Sequence, residues 1–187
     1  ILRTVAATRE ASREALATEA GLRLDRLARQ GVTAVEIKSG YGLSLEAELK
    51  ILLAISDVSR THAHAVVPPF LGAHTFPREA RSSRQARERY VDEICNDMIP
   101  RVTESKLARF ADVFVDDHAF SLSEAARVLR VAKDHGLGVK VHADQLKEDG
   151  ATALAGEMGA VSADHLDHAS EQGLQQLARA GTVAVLL

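Results

Sequence analysis

The sequence predicts an α/β fold in which parallel strands, each followed by a helix, close toward a barrel with about six of eight strand–helix units present. Three observations carry this expectation. Short β-branched, apolar runs alternate with stretches of helical periodicity along the whole chain. No two runs are joined by the tight Gly, Asn or Asp turns of a hairpin, so the connections read as right-handed crossovers between parallel strands. Several runs also end on a histidine or another polar side chain, and the carboxyl ends of barrel strands converge on one open mouth. No GxGxxG follows any strand, which weighs against a doubly wound open sheet. The length, 187 residues, falls short of the ~250 that a complete eight-unit barrel takes.

Taken in order, helical spacing over about 3–30 gives way at Gly31 to the strand run 32–38. Ser44 offers a helix N-cap, and Leu45, Leu49, Leu52 and Ile55 share one helical face. The next strand, 65–74, carries Pro68 and Pro69, whose missing N–H groups weaken its middle. A charged helical stretch over about 82–107 is expected to break near Pro100. Residues 110–116 read as a strand, and Ser121 with Glu124 forms a capping box ahead of an inward face of Leu122, Ala125, Leu129 and Ala132. Gly136 stands where a helix C-terminus favours glycine. A strand to His142, a small-residue helix to about Met158, a strand to His165, a helix opening near Ser170 and a final strand over 181–187 complete the order. The chain opens at Ile1 without a methionine and stops inside an apolar run, so the expectation is one domain over 1–187, the central part of a longer barrel protein with both ends missing.

Composition narrows the function. With 46% hydrophobic and 4% aromatic residues and a net charge of −3, the chain lacks the basic footprint and the stacking platforms of a nucleic-acid binder. No apolar run approaches the ~20 residues that span a bilayer, and Glu10, Glu14 and Glu19 argue against a transit peptide at Ile1 and beyond. The single Cys95 excludes an intrachain disulfide, suits a reducing cytoplasm and reads as a buried small apolar residue. A cytoplasmic protein with a small-molecule partner, and neither nucleic acid nor membrane, is expected.

The strand ends supply the candidate chemistry. Tyr41 lies between Gly40 and Gly42, where the backbone can turn tightly and leave the phenol over the mouth. His74 ends the next strand; Asp116, Asp117 and His118 follow the one after; His142 and His165 end the two beyond. Each alone reads as a structural residue, but the set of them points to a site. His62 and His64 have the alternate spacing of a metal pair, yet they precede their strand and so belong to the barrel's bottom, where such residues serve stability. Arg78, Arg81, Arg84, Arg87 and Arg89, mixed with Glu79 and Glu88, read as a solvated helix face, with steering of an anionic substrate as the functional alternative.

The stretches VEIKSGYGL (35–43), FLGAH (70–74), KVHADQL (140–146), SADHL (162–166) and GTVAVLL (181–187) closely resemble the imidazolonepropionase family of the metal-dependent amidohydrolase superfamily. The resemblance runs over essentially the whole chain. It implies a distorted barrel with a Zn²⁺ or iron ion at its mouth, one per active site, and hydrolysis of 4-imidazolone-5-propanoate to N-formimidoyl-L-glutamate in histidine degradation. The superfamily carries an HxH pair on the first strand, histidines on the fifth and sixth, and an aspartate on the eighth. If the strand at 32–38 is the second, His142 falls on the fifth and His165 on the sixth, and the chain stops on the seventh.

By that resemblance His142 is the metal ligand present here, Tyr41, His74 and Gln145 match substrate-binding positions, and His165 matches the histidine beside the metal, whose role is to polarise the attacked carbonyl or to handle protons. A homodimer is compatible with it. The HxH pair, a substrate-binding arginine and the eighth-strand aspartate are absent; His118 stands where the family has a small residue, and Asp167 with His168 replaces an acidic–aromatic pair. Because an amide has no useful proton-transfer pKa, Gln145 can orient substrate but cannot be the general base. Proton transfer falls to His165 or the absent aspartate. Two rivals are another cyclic-amide hydrolase or deaminase of the superfamily, since fold alone does not fix substrate, and an inactive structural piece of barrel.

Overall fold

In the computed structural model, which describes residues 2–187 and leaves Ile1 outside the described residues, seven strand segments all run parallel to their neighbours. They are β1 (Ala34–Glu36), β2 (Ala65–Val67), β3 (Pro69–Ala73), β4 (Phe110–Phe114), β5 (Gly138–Ala143), β6 (Ser162–His165) and β7 (Val183–Val185). β1 pairs with β2, and β3 to β7 follow one another in chain order. β2 and β3 are two halves of one barrel strand, so the segments amount to the six strands expected.

The two prolines explain the division. The carbonyls of Val67 and Pro69 accept from Ile37 and Ser39 on one side, while that of Pro68 accepts from Arg109 on the other. The ladder therefore crosses the prolines through their carbonyls, and only the donors they lack are missing. This strand joins β1 to the five-stranded sheet and makes one curved surface, a partial (β/α)8 barrel. β1 and β7 each have one strand partner among the described residues, and Val183 (58%), Leu186 (78%) and Leu187 (77%) lie exposed at the β7 edge.

The helices that cover this surface are α1 (Leu2–Glu10), α2 (Arg13–Ala28), α3 (Leu45–Thr61), α4 (Arg84–Glu93), α5 (Ile99–Glu104), α6 (Leu122–Asp134), α7 (Ala151–Glu157) and α8 (Glu171–Ala180). The single helix expected over 3–30 is two, because Ser12 adopts an extended backbone and its hydroxyl accepts from the Ala15 N–H, starting a new helix. The expected break near Pro100 is absent. Residues Ile94–Met98 widen into a π-turn in which the Ile99 N–H reaches back to Ile94, and Pro100, which has no N–H to give, follows directly in α5. The Ser121–Glu124 capping box forms, and Gly136 takes φ +81° just past α6. No helix among the described residues is long and apolar enough to cross a membrane.

Between sheet and helices lies one continuous core. Phe76 stacks on Phe120 at 4.4 Å, and Phe70, Leu52, Met98, Ile99, Val113, Leu129 and Val141 are almost wholly withdrawn from water. Burial of this kind contributes roughly 25 cal/mol per Å² of apolar surface, and it fixes the strand ends relative to one another. Cys95 lies within this core, and burial pushes its thiol pKa up, away from nucleophilic use.

Candidate active site

Four of the five candidate residues meet in a row of rings at the strand carboxyl ends. The Tyr41 ring stands edge-on to His74 with centroids 5.0 Å apart. His74 lies 6.4 Å from His142, and His142 lies 5.5 Å from His165. Phe114, at the end of β4, packs edge-on against both His74 and His142, at 6.2 and 6.0 Å. One apolar ring therefore backs His74 and His142.

Each ring is held by its second nitrogen. The Nδ1 of His74 lies 3.0 Å from the Gly40 carbonyl, an acceptor only, so Nδ1 carries the proton and Nε2 keeps its lone pair. Burial pushes the pKa of His74 down, the Gly40 carbonyl offsetting part of that shift. The Nδ1 of His142 likewise donates to Asp112 Oδ1 at 2.9 Å, leaving Nε2 as a free donor atom on a side chain only 12% exposed. A carboxylate behind an imidazole fixes its tautomer and orientation and raises its basicity as a metal ligand.

His165 sits in the left-handed region at φ +78°, and Leu166 follows at φ +65°. Two such non-glycine residues in succession cost on the order of 1–3 kcal/mol each, and strain of this kind clusters at functional sites. The Leu166 N–H bonds to the Ala143 carbonyl and the His168 N–H to that of Asp144, which ties the strained turn to the end of β5. Burial, and then the neighbouring His142, lowers the pKa of His165. The shift favours the neutral imidazole.

Beneath the rings lies a charged floor that the sequence reading missed. Lys38 Nζ is 2.8 Å from Asp112 Oδ2 and 2.5 Å from Asp164 Oδ2, and Asp164 Oδ1 accepts from Ser162. Burial alone would push the Lys38 pKa down, but the two carboxylates outweigh it and hold the ammonium well above the ordinary lysine range. The same balance works on Asp112, where burial is outweighed by His142 and Lys38 and the pKa ends below the ordinary value. Deeper in the barrel Lys140 pairs with Glu36 at 2.5 Å. The available signal was the recurrence of Glu36, Lys38, Asp112, Lys140 and Asp164 inside runs that otherwise read as buried strands.

Asp112, His142 and Asp164 place one ligand atom each within 4.8 Å of one another, a grouping that could hold a metal ion. The Lys38 ammonium already occupies the place between the two carboxylates, so the donor left for a metal at the mouth is His142 Nε2. That fits an imidazole ligand with its own oriented carboxylate.

Gln145, the fifth candidate, lies half-buried in the loop after β5, outside the row of rings. Its neighbour Asp144 is wholly structural: it accepts from the N–H groups of Asp149, Gly150, Ala151 and Thr152 and from the Thr152 hydroxyl, tying the loop to the start of α7. Asp116 caps its own turn through the His118 N–H, and Asp117 pairs with Lys147. His62 bonds through Nδ1 to the Val58 carbonyl at the end of α3, and His64 precedes β2, so both sit at the barrel's bottom as expected. Arg78, Arg84 and Arg89 are exposed, as expected of a solvated face, whereas Arg81 bonds to Phe76 and Thr75, and Arg87 lies 3.9 Å over the Phe76 ring and bonds to Ala119 and Glu124.

No family model matches the chain. Among curated proteins it is 56% identical over 189 residues to the imidazolonepropionase of Symbiobacterium thermophilum, covering 100% of this chain and 44% of that protein. It is 46% identical to that of Thermoanaerobacter pseudethanolicus, with the same coverage, and 50% identical to that of a Bradyrhizobium strain, with 46% of the relative covered. The chain thus spans less than half the length of the curated relatives it matches. Among solved structures, an adenine deaminase from Arthrobacter aurescens superposes with a TM-score of 0.64 at 13% identity, covering 96% of this chain and 54% of that one. The ochratoxinase of A. niger gives 0.55 at 17% identity over 88% of this chain and 44% of that one. At these identities the likeness shows the barrel fold alone.

Proposed function

The chain belongs to the imidazolonepropionase family, and from that premise we propose that the protein it helps to build is a metal-dependent hydrolase opening the cyclic amide of 4-imidazolone-5-propanoate to N-formimidoyl-L-glutamate. The observation that carries this is His142: its Nδ1 is pinned by Asp112, its Nε2 is free, and Tyr41, His74 and His165 stand beside it. His142 would hold the ion through Nε2, with the remaining ligands supplied by parts of the longer relatives that this chain does not span. A Zn²⁺ or iron ion there supplies polarisation of a carbonyl that is otherwise a poor electrophile, and acidifies water near it. Neutral imidazole suits either metal.

The chain's own residues then divide the work. Tyr41 and His74 bind the ring and its propionate, the phenol by hydrogen bonding and His74 through Nε2. Gln145, whose amide both donates and accepts, orients substrate without moving a proton. His165, kept neutral by its lowered pKa, is the group placed to take a proton. Phe114 packs edge-on behind His74 and His142. The single buried Cys95 agrees with a cytoplasmic setting.

Two substitutions in the full-length protein separate orientation from proton transfer. Gln145→Ala raises KM and keeps the shape of the pH–rate profile, because the lost group does not titrate. His165→Asn removes or displaces the acidic limb of that profile, which lies below the ordinary histidine value of about 6.5 because the folded pKa is lowered. A near-normal rate and unchanged profile in His165→Asn would end the proton-transfer role and pass it to the family's eighth-strand aspartate.

A further inference from the structure

Glu48 is wholly buried near the start of α3 and makes no ion pair among the described residues. Its two oxygens accept from three backbone donors of the loop after β1: Oε2 from Gly40 at 2.9 Å, and Oε1 from Gly42 and Leu43, both at 2.8 Å. A cation takes carbonyls of the same loop, and at the Gly42–Leu43 peptide it holds the pole opposite the one Glu48 holds. Arg9, on α1, donates from Nε to the Gly42 carbonyl at 2.6 Å and from Nη2 to the Leu43 carbonyl at 2.9 Å, and it also meets Glu79 at 3.2 Å. Lys50, two residues along α3 from Glu48, fastens the end of α1 through the carbonyls of Arg9 and Ala11, each at 2.7 Å.

The loop held in this way has little freedom of its own. Gly40 sits at φ +104°, and a Cβ there would come within 2.7 Å of the Leu71 carbonyl oxygen; a Cβ on Gly42 would meet the Ala47 backbone at 2.6 Å. Leu43 is at φ +53°, a conformation the hydrogen bonds must hold against its side chain. Tyr41 lies in the middle of this stretch, and the Gly40 carbonyl is the acceptor that orients His74.

We propose that Glu48 and Arg9, which stand outside the row of rings, are positioning residues for substrate: together they clamp the 40–43 backbone by its N–H groups and its carbonyls, and so set the place of Tyr41 and His74. The proposal rests on the reading that Tyr41 and His74 bind substrate. A carboxylate suits one face of the clamp because it only accepts, and a guanidinium suits the other because it only donates. The amide of Glu48→Gln would turn an N–H group toward the loop's own donors, and Arg9→Met would release both carbonyls while keeping the apolar stem.

The test uses the full-length protein carrying this chain, with hydrogen exchange and steady-state kinetics measured on Glu48→Gln and Arg9→Met. The Gly42 and Leu43 amides are expected to exchange about 100-fold faster in Glu48→Gln, and the loop more weakly so in Arg9→Met. KM for 4-imidazolone-5-propanoate is expected to rise roughly 10–100-fold, with kcat within about threefold and bound metal unchanged. In a Tyr41→Ala/His74→Ala background, Glu48→Gln should add almost nothing to KM. Unchanged amide exchange overturns the clamp, as does faster exchange with unchanged KM where Tyr41→Ala and His74→Ala do raise it. If those two leave KM unchanged, the substrate reading falls, and with it the positioning role, whereas amide exchange still reports whether the clamp exists. Should Glu48→Gln fail to fold, Arg9→Met, at a partly exposed position, decides the matter by the same two readouts.

Discussion

His142→Ala in the full-length protein is expected to lose bound metal and activity together. The substitution removes the Nε2 lone pair that Asp112 keeps aimed at the mouth, and it leaves the Asp112–Lys38–Asp164 floor with its ion pairs intact. Loss of several kcal/mol of transition-state stabilisation corresponds to about 10³-fold or more in rate. Elemental analysis after dialysis, paired with an assay at fixed protein concentration, reads both quantities. Full metal occupancy in the variant would remove His142 from the ligand set, whatever the activity.

The second large effect falls on stability. Lys38→Met strips the cation from Asp112 and Asp164, both buried, and breaking a buried pair in this way costs about 3–5 kcal/mol. For a domain of this size that is a fall in Tm of roughly 10 °C. Adding Asp164→Asn should return part of it by removing one unpaired charge. The pH dependence has a definite sign. The depressed Asp112 pKa contributes stability above the unfolded carboxylate value of about 4, and that contribution is lost as pH falls through the lower folded value. In Lys38→Met the buried Asp112 loses that cation and its charge is costly at neutral pH but not once protonated, so the gap between the proteins narrows as pH falls from 7 toward 4. Calorimetry at pH 7 and pH 4 checks this; an unchanged Tm at pH 7 would show the floor to be dispensable.

The order of strands and helices was legible because each depends on neighbours in sequence: β-branched runs, the Ser44, Ser121 and Ser170 caps, and Gly136 beyond α6 all signal locally. Ser12 was not legible as a boundary, since a serine within a helical period is tolerated and only the observed cap separates α1 from α2. Pro100 misled for a different reason. A proline predicts a break by its missing donor, but Ile94, Met98 and Ile99 are completely buried, and that packing is consistent with a widened turn that keeps the helix continuous.

The site divided along the same line. Strand-end position alone brought Tyr41, His74, His142 and His165 into consideration, and the structure brings those four together. The floor could not be read from spacing, because Lys38 and Asp164 are 126 residues apart and meet only through barrel curvature. Asp144, inside the most informative stretch of the sequence, is an anchor for α7, a role that its adjacency to His142 gave no means of separating from chemistry.

The most direct measurement is turnover by the full-length protein carrying this chain, purified with its metal and given 4-imidazolone-5-propanoate, with disappearance of the imidazolone chromophore and appearance of N-formimidoyl-L-glutamate followed together. The expected result is stoichiometric conversion with one ion per active site, abolished by chelation and restored by Zn²⁺ or iron. A metal-loaded protein that leaves this substrate intact while hydrolysing another cyclic amide, or deaminating a ring, would contradict the account.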